Sequence, residues 1–563
     1  MVTQDDQLVT DLILLEPQGS QDIQWSSGSV LRFVPSGTDR ISEFNGFLLR
    51  SQADYLCIWS GRVPLPDPQQ LTTLEKQGLD LAHCGLSLGA GAWFPDLCYL
   101  GTSWDKLNAP AGIPSPSWRM TFDACMIRTR LLVEGGGLDP AFESLTGAAL
   151  EFGYRCYRLG GLVEHRPELM TTAGIAIRPE APTLHDLYLF ILRHYGFDWA
   201  KYVLLRRTLH SLNWRRERRA WHQAMASYTA HPPAWSMQNP VWYQGECRGR
   251  EVLSGPRVSV IIPTLGRYDY LEGALESLRK QSLKPAEVII VDQNDPDQRR
   301  PDLYLRYQDL NIQVSWQEER GQSLARNTAL SQVNQEYVFF FDDDSIAFPD
   351  LIENHLKFVL AGSYDASTGI SMPPPPTDYQ LPVDFRFPQF AHTFDTGNCL
   401  LPARLARQVG GFDRNYDFGP GTDADFGTRL YLSGHRILHN PYARRYHYKA
   451  ASGGLRAHGA HKRNTDAGLL SPFPPVTQCY YLKRYMNPRQ TREAVWIAYL
   501  TSKVDRNLRR DGLSILKRIR LLSLLIIRVV LLPLKYTISS KKASQMLAHG
   551  ARLPLLDPRS DKE

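Results

Sequence analysis

The chain has 563 residues, of which 43% are hydrophobic and 22% are charged. This composition supplies enough apolar material for sizeable cores and excludes an intrinsically disordered chain. The formal net charge of +6 is small for this length and gives no support for a nucleic-acid-binding protein. Since domains usually contain roughly 100–200 residues, we expect two to four of them.

The eight cysteines are scattered along the chain, with no CxxC pair. This spacing argues against a structural zinc site and against a dense disulfide framework. The N-terminal sequence MVTQDDQLVT is acidic and lacks the basic and apolar regions of a signal peptide. We therefore expect a protein of the reducing cytoplasm.

Alternating strands and helices are predicted from residue 257 onwards. Apolar runs rich in β-branched residues predict buried strands at Val258–Ile262 and Glu287–Val291. Ile312–Trp316 is a candidate third strand, and Tyr337–Phe341 is predicted as a fourth. Helical spacing of apolar residues predicts helices over 271–281 and 322–333 between them. This alternation indicates an α/β fold with a mostly parallel sheet, and ligands of such sheets bind at the carboxyl ends of the strands.

Acidic residues follow two of these predicted strands. Asp292 comes directly after the second strand, and Asp342, Asp343 and Asp344 come directly after the fourth. Adjacent carboxylates repel one another, and a bound Mg²⁺ or Mn²⁺ that joins them to a phosphate removes this repulsion. The alternative is a solvated acidic turn, or an N-cap for the helix predicted over 349–360.

A second group of candidate residues lies further along the chain. Asp423 and Asp425 stand two residues apart in GTDADFG, at the entry to a predicted helix. The helix dipole favours carboxylates at this position, so simple N-capping is an alternative to a catalytic role. His447, within RRYHY, is a candidate metal ligand and alternatively an ordinary, partly buried histidine.

Six stretches between residues 258 and 437 occur in an order that is specific, although each alone is a weak signal. They are VSVIIPTLGRYDYL, EVIIVDQND, GQSLARNTAL, YVFFFDDDSIAFPDLI, GNCLLPARLARQVGGFD and GTDADFGTRLYLSGHRI. Together they resemble the family 2 glycosyltransferases of the GT-A fold. The resemblance implies an inverting, metal-dependent transfer of a sugar from a nucleotide-diphosphate donor to an acceptor hydroxyl.

The resemblance also implies roles for individual residues. Those that match the family's nucleotide-sugar site are Pro263, Thr264, Arg267, Asp292, Arg326, Asp342 and Asp343. Those that match its site for Mn²⁺ or Mg²⁺ are Asp342, Asp344 and His447. Asp423 matches the catalytic base, but Thr422 stands where the family usually has Glu, which leaves Asp425 open as an alternative base.

The same resemblance suggests the donor and the acceptor. The loop at 263–267 would embrace the base and ribose, Asp292 would read the uracil or ribose side, and Arg326 would lie near the diphosphate. Family habit favours a UDP-sugar, and the acceptor would be a glycan or lipid-linked glycan of cell-surface polysaccharide or glycoconjugate synthesis. Two alternatives are a non-catalytic carbohydrate-binding scaffold and a nucleotidyltransferase, since the latter also uses strand-end aspartates with Mg²⁺.

The first half of the chain aligns with the second at offsets of 282 and 274 residues. The aligned identities are Asn45 with Asn327, Tyr55 with Tyr337, Cys125 with Cys399, Asp139 with Asp413, and Arg155 with Arg429. A repeat of this length predicts two tandem GT-A-like domains. The first copy is shorter, by about one βα unit that includes the counterpart of the 263–267 loop.

The chemistry of the site is missing from this first copy. Ser60, Gly61 and Arg62 align with the three adjacent aspartates, and Ala149 aligns with Asp423. An arginine at the position of the cation is incompatible with the same metal chemistry. We therefore expect a degenerate, non-catalytic domain; a docking platform, a homodimer surface, an acceptor-binding module and a structural buttress are all open.

We predict four regions, which are the degenerate domain at 1–180, a helical segment and linker at 181–250, the catalytic domain at 256–470, and a basic helical region at 471–563. The apolar core of segment 515–536 is interrupted by Arg528 and Pro533 and is shorter than the roughly 20 residues of a membrane span. This segment would lie on the inner face of an anionic membrane or pack against the catalytic domain. The loop 449–468 would close over the diphosphate as a lid or simply be mobile.

Overall fold

Two mixed β-sheets, one in each half of the chain, organise the protein. The structure, a computed structural model, describes residues 8–15, 25, 28–34, 39–65, 67–90, 107, 109–170, 179–211, 213–232, 257–455, 471–500 and 515–554. Helices flank both sheets, and further helices follow the second one. The predicted α/β fold class with C-terminal helices is confirmed.

The first domain is built on a seven-stranded sheet. Its elements are β1 (Thr10–Leu15), β2 (Val30–Phe33), α1 (Arg40–Leu48), β3 (Tyr55–Ser60), α2 (Pro68–Lys76), β4 (Leu81–His83), β5 (Ser115–Pro116), β6 (Ala124–Arg128), α3 (Thr129–Glu134), α4 (Leu145–Arg158) and β7 (Val163–His165). The strand order is β2-β1-β3-β6-β4-β7-β5. β1 runs parallel to β2 and β3, whereas β6 is antiparallel to β3 and β4.

Three helices follow the first sheet, in the region predicted as a helical segment and linker. They are α5 (Leu184–His194), α6 (Phe197–Ser211) and α7 (Trp214–Ala230). α5 begins at a capping box, in which the Thr183 side chain accepts a hydrogen bond from the backbone N–H of Asp186. Gly196, with a φ of 85°, separates α5 from α6, a conformation that glycine adopts without strain. The predicted linker at 233–250 lies outside the described residues.

The second domain contains all four predicted strands. Its elements are β8 (Val258–Thr264), α8 (Tyr268–Arg279), β9 (Glu287–Asp292), α9 (Pro301–Leu305), β10 (Ile312–Trp316), α10 (Gln322–Leu330), β11 (Tyr337–Phe341), β12 (Ser345–Ala347), α11 (Leu351–Leu360), β13 (Ala366–Met372), β14 (Gln389–Phe390), β15 (Asn398–Pro402), α12 (Ala403–Gln408), α13 (Thr422–Leu432) and β16 (Ile437–His447). The strand order is β10-β9-β8-β11-β15-β13-β16-β12, and β14 pairs with β16. β8 to β11 form the parallel half. β8, β9 and β11 are the buried apolar runs that such a sheet predicts, whereas the edge strand β10 is only half-buried.

The two sheets share one connectivity. α1 coincides with α10 after a shift of 282 residues, and β6 with α3 coincide with β15 and α12 after a shift of 274. The order β2-β1-β3-β6-β4-β7-β5 corresponds to β9-β8-β11-β15-β13-β16-β14. Within the described residues β10 and β12 have no counterpart, and residues 16–24, where the copy of the 263–267 loop would lie, are not described. This shared connectivity is what a tandem repeat of one fold requires.

The two domains pack directly against each other. Arg436 donates from both Nε and Nη2 to the buried carboxylate of Glu164, the second contact at 3.2 Å. The Tyr157 ring stacks on Phe390 with the ring centroids 5.0 Å apart. Residues of the second domain that join the hydrophobic core of the first are Phe358, Tyr364, Phe390 and Leu438. The two halves therefore share buried surface.

Three helices complete the fold. They are α14 (Val476–Tyr485), α15 (Pro488–Leu500) and α16 (Ile515–His549). α16 continues through Pro533 and extends well beyond the predicted segment 515–536, and the Thr537 hydroxyl donates to the Pro533 carbonyl. None of the described helices is long and apolar enough to cross a membrane. Of the predicted lid at 449–468, residues 456–468 lie outside the described part of the chain.

Candidate functional site

The candidate site lies at the carboxyl edge of the parallel strands in the second sheet. The adjacent strands β9, β8 and β11 end at Asp292, Thr264 and Phe341. Their apolar runs are buried, which fixes the edge at which the following polar residues emerge. Because parallel strands end at the same edge, residues far apart in the sequence are brought together there.

The three predicted metal ligands meet at this edge. Ligand atoms of Asp342, Asp344 and His447 all lie within 4.8 Å of one another. Antiparallel pairing of β12 with β16 sets Ser345 opposite His447, and His447 Nε2 lies 3.3 Å from Asp344 Oδ1. Two carboxylates and one imidazole are a donor set that fits a divalent cation such as Mn²⁺ or Mg²⁺.

Asp344 is buried and is held in its charged form. Its Oδ2 accepts a hydrogen bond of 2.9 Å from the backbone N–H of Ala450 and lies 3.3 Å from Arg267 Nη1. Burial opposes ionisation, but the hydrogen bond from His447 and the charge of Arg267 hold the pKa of Asp344 well below its usual range. The group is therefore a carboxylate at neutral pH.

Asp343, the middle aspartate, connects the site to the loop after β8. Its Oδ2 accepts from the Thr264 hydroxyl at 2.9 Å, and its Oδ1 accepts from Arg267 Nη1 at 3.1 Å. Burial raises the pKa of Asp343 to about 6, and the Arg267 guanidinium opposes this shift. Pro263 is half-buried beside Thr264. The predicted residues of this loop are thus positioned by the aspartates themselves.

Two arginines hold Asp342 between them. Arg326 Nη2 lies 3.4 Å from Asp342 Oδ1, and Arg445 Nη1 lies 2.9 Å from Oδ2. Arg326 Nε is buried and has no hydrogen-bond partner among the described residues. The Arg445 side chain is 1% exposed. Its remaining hydrogen-bond acceptors are the side chains of Ser345, Ser371 and Asp395 and the carbonyl of Gly397.

Sequence reasoning missed Arg445 and its partner Asp395. Two 3.1 Å contacts join Arg445 Nη2 to the two carboxylate oxygens of Asp395. One signal was available, because alternation along β16 makes Ala443 buried, Arg444 exposed and Arg445 buried. Gly397 is also required here, since a Cβ atom at this position would collide with the Asp342 carboxylate.

Asp423, the predicted base, stands at the start of α13. Its Oδ1 accepts a hydrogen bond from the Thr396 hydroxyl. The residue is exposed, but desolvation by the surrounding protein raises the pKa of Asp423 to about 6. Arg326 opposes this shift, whereas Asp395 and Asp342 add to it. Thr396 stands between Asp395 and Gly397, which both accept hydrogen bonds from Arg445, the partner of Asp342, so Asp423 lies next to the metal-ligand cluster.

Asp425, the alternative base, is fully buried. Its Oδ2 accepts from Arg429 Nε at 2.9 Å, and its Oδ1 accepts from the Tyr485 hydroxyl at 2.8 Å and from Arg484 Nη1 at 3.0 Å. Arg429 also donates to the carbonyls of Val409 and Gly411. Asp425 is therefore part of a clamp that joins α13 to the loop before it and to α14.

The first domain contains the same clamp at the corresponding positions. Glu151 accepts from Arg155 Nε at 2.9 Å, and Arg155 donates in turn to the carbonyls of Gly135 and Gly137. His194 of α5 lies 3.3 Å from Glu151, where Tyr485 of α14 contacts Asp425. A domain that lacks the three aspartates thus retains this clamp, which indicates a structural role.

Asp292, predicted to read the nucleotide, is fully buried. Its Oδ2 accepts from the hydroxyls of Tyr268 and Tyr304, each at 2.6 Å, and its Oδ1 accepts from the backbone N–H of Asn294 at 2.9 Å. The structure therefore places Asp292 beneath the edge rather than in the Asp342 cluster. Contact with a nucleotide would require these hydrogen bonds to be exchanged.

Comparison with known proteins identifies the domain that carries this cleft. Residues 259–412 match the family model described as Glycosyl transferase family 2. This segment is a family 2 glycosyltransferase domain. The match includes the three aspartates of the glycosyltransferase domain and ends before Asp423 and His447.

Curated proteins are similar to part of the chain. The putative teichuronic acid biosynthesis glycosyltransferase TuaG of Bacillus subtilis is 38% identical over 121 residues, which is 21% of this chain and 48% of the relative. The validoxylamine A glucosyltransferase of Streptomyces hygroscopicus subsp. limoneus is 29% identical over 221 residues, which is 32% of this chain and 49% of the relative. The chain thus spans about half the length of these two relatives.

Solved structures also match the chain. The structure of S. aureus TarS 1–349 in complex with UDP-GlcNAc is 18% identical, covers 52% of this chain and 92% of its own, and has a TM-score of 0.35. The mannosyltransferase PcManGT from Pyrobaculum calidifontis, solved with GDP-Man and Mn²⁺, is 17% identical and has a TM-score of 0.32. The match covers 54% of this chain and 77% of the mannosyltransferase chain.

Proposed function

We propose that the glycosyltransferase domain moves a sugar from a nucleotide-diphosphate donor to a hydroxyl of a glycan or glycolipid acceptor, with inversion at the sugar carbon. The observation that carries this proposal is the convergence of Asp342, Asp344 and His447 on one point, next to the segment whose Thr396 hydroxyl donates to Asp423. Pairing the ligands of a cation with a separate carboxylate base is the arrangement that such a transfer requires.

A divalent cation, Mn²⁺ or Mg²⁺, would be held by Asp342, Asp344 and His447. When bound, it neutralises the negative charge that develops on the departing diphosphate. Arg326 supports the same task, because its guanidinium lies beside Asp342 and has a buried Nε without a partner among the described residues. Arg267 and Thr264 hold the loop after β8 against Asp343, which positions that loop for the nucleotide.

Asp423 would remove the proton from the acceptor hydroxyl. A pKa of about 6 leaves this carboxylate ionised at neutral pH and makes it a stronger base than an ordinary aspartate. Thr396 donates to one of its oxygens, so the other is available for the acceptor. Asp425 suits this role less well, because both of its oxygens already accept hydrogen bonds from Arg429, Arg484 and Tyr485.

A UDP-sugar is the donor that we favour, in keeping with the habit of the family. The teichuronic acid biosynthesis relative supports an acceptor that belongs to a cell-surface polysaccharide. The first domain would be non-catalytic, because Ser60, Gly61 and Arg62 occupy the positions of the three aspartates and Ala149 occupies that of Asp423.

Thermal shift measurements against a panel of nucleotide sugars, with Mn²⁺ or with EDTA, test this function. We expect one donor, at a concentration far above its Kd, to raise the Tm of the wild type by several degrees in Mn²⁺ and not in EDTA. Asp344→Ala should abolish the shift, because it removes the ligand that contacts both His447 and the Ala450 backbone.

Asp302→Asn is a matched control, because the Asp302 side chain is 70% exposed on α9. This variant should respond to the donor as the wild type does. A shift that survives in Asp344→Ala would contradict the metal assignment. Stabilisation by nucleoside triphosphates alone would favour a nucleotidyltransferase, and no response to any donor would favour a non-catalytic scaffold.

A further inference from the structure

The outward face of α16 carries a stripe of exposed apolar side chains. Ile519, Ile527, Val530 and Leu534 are 57%, 46%, 71% and 48% exposed. Their spacing of eight, three and four residues keeps them on one side of a helix. The opposite side packs on the protein, as the burial of Leu532 shows. An amphipathic helix normally directs its apolar stripe to the core, so a stripe that faces outward needs a partner.

The charge of α16 indicates which partner fits. The helix contains seven lysines and arginines and no aspartate or glutamate over Ile515–His549. Apolar residues together with cations, without any acidic residue, match a surface that offers both anionic groups and hydrocarbon. The interface of an anionic bilayer offers both.

A groove between α6 and α15 has the same chemistry. It is a cavity of about 410 Å³ that lies between these helices. Its exposed apolar walls are Leu205, Leu209 and Trp496, which are 61%, 68% and 43% exposed. Arg489 and Arg492 lie at its edge on the exposed face of α15.

The groove and α16 are neighbours. Phe473 joins them, because its backbone N–H donates to the Lys535 carbonyl of α16 at 3.3 Å and its ring packs edge-on against Tyr499 of α15 with the centroids 5.4 Å apart. Glu493, an acidic residue that lines the groove, is buried and accepts a hydrogen bond from Arg206. Its charge is thus neutralised within the protein, and the net charge of this region remains positive.

We propose that the outward stripe of α16 and the groove between α6 and α15 bind the surface of an anionic lipid bilayer. The protein lies on the bilayer, with the apolar side chains in the interface and the arginines at the headgroups. Two separate features, the apolar stripe and the excess of cations, support the same partner. This inference is independent of the transferase chemistry, although a bilayer is also where a lipid-carried acceptor would be found.

Vesicle sedimentation with the full-length protein tests this proposal. We expect the wild type to sediment with vesicles of phosphatidylcholine containing phosphatidylglycerol, and at least about tenfold less with pure phosphatidylcholine. The double variant Val530→Glu with Leu534→Glu should bind the anionic vesicles at least about tenfold more weakly, because two apolar contacts become anionic. Raising the salt concentration should weaken the binding of the wild type.

Val133→Glu is the matched control, since Val133 is 56% exposed on α3 in the first domain, and it should bind as the wild type does. Circular dichroism and Tm establish that each variant is folded. Equal binding of the wild type and the double variant would overturn the proposal. A wild-type dimer that becomes monomeric in the double variant, with no vesicle binding, would overturn it in favour of a second copy of the chain.

Discussion

Replacing Asp423 with asparagine should lower kcat by a factor of about 10²–10⁴, the usual contribution of a general base. Donor binding should be unchanged, because Asp423 belongs to the acceptor side of the cleft and the metal ligands are untouched. Asparagine preserves the shape of the side chain and the contact with Thr396 but cannot accept a proton. Steady-state kinetics at saturating donor, together with a donor-binding titration, give both quantities.

The pH dependence gives a second measurement of the same assignment. Because the pKa of Asp423 is raised to about 6, turnover of the wild type should rise as the pH increases from about 5 to 7 and the carboxyl loses its proton. The residual activity of Asp423→Asn should lack this step. A wild-type profile that is retained in the variant would assign the ionisation to another group.

Asp425→Asn is the informative comparison with Asp423→Asn, because Asp425 lies two positions after Asp423 and is buried. It leaves Arg429 with a buried charge that has lost its ionic partner, so we expect a lower Tm and a stability loss of up to about 3–5 kcal/mol. If Asp425→Asn were as stable as the wild type but inactive, while Asp423→Asn remained active, the assignment of the base would be wrong.

Replacing Arg445 with methionine should be the most destabilising single change at the site, with a loss of about 3–5 kcal/mol. The side chain is 1% exposed and contacts the carboxylates of both Asp342 and Asp395. Its removal leaves two close carboxylates without their shared cation. Urea unfolding measures the loss in stability, and a Mn²⁺ titration measures the accompanying change in metal affinity.

The neighbouring residue provides the control for this change. Arg444 is exposed on the same strand, so Arg444→Met should alter stability by no more than about 0.5 kcal/mol. Adding Asp395→Asn to Arg445→Met should restore part of the stability, because it removes one of the two unpaired carboxylates. Loss of equal size in Arg444→Met and Arg445→Met would show that the buried contacts contribute nothing.

Three strands of the parallel half, β8, β9 and β11, were predictable from sequence because they are buried apolar runs. β11 has the predicted bounds, and β8 extends the prediction by two residues to Thr264. The edge strand β10 also has its predicted bounds, although it is only half-buried. The three aspartates follow one of these runs directly, so their position at the carboxyl edge followed from the fold class alone.

Other features depend on contacts between distant parts of the chain. Arg445 is 103 positions from Asp342, so the alternation along β16 indicates its burial but does not identify its partners. Asp425 has the sequence position of an N-terminal helix residue, and only its contacts with α14 reveal the clamp. Asp292 was predicted to read the uracil or ribose side of the nucleotide, and the two tyrosine hydroxyls that donate to it come from α8 and α9.

The shared core between the domains has an evolutionary consequence. Phe358, Tyr364, Phe390 and Leu438 are covered by residues of the first domain, so a gene shortened to its second half would encode a protein with these side chains in water. Such a product would be prone to aggregate, and selection would remove it. The first domain, which has Ser60, Gly61 and Arg62 at the positions of the three aspartates, is therefore difficult to discard, because the solubility of the second domain depends on it.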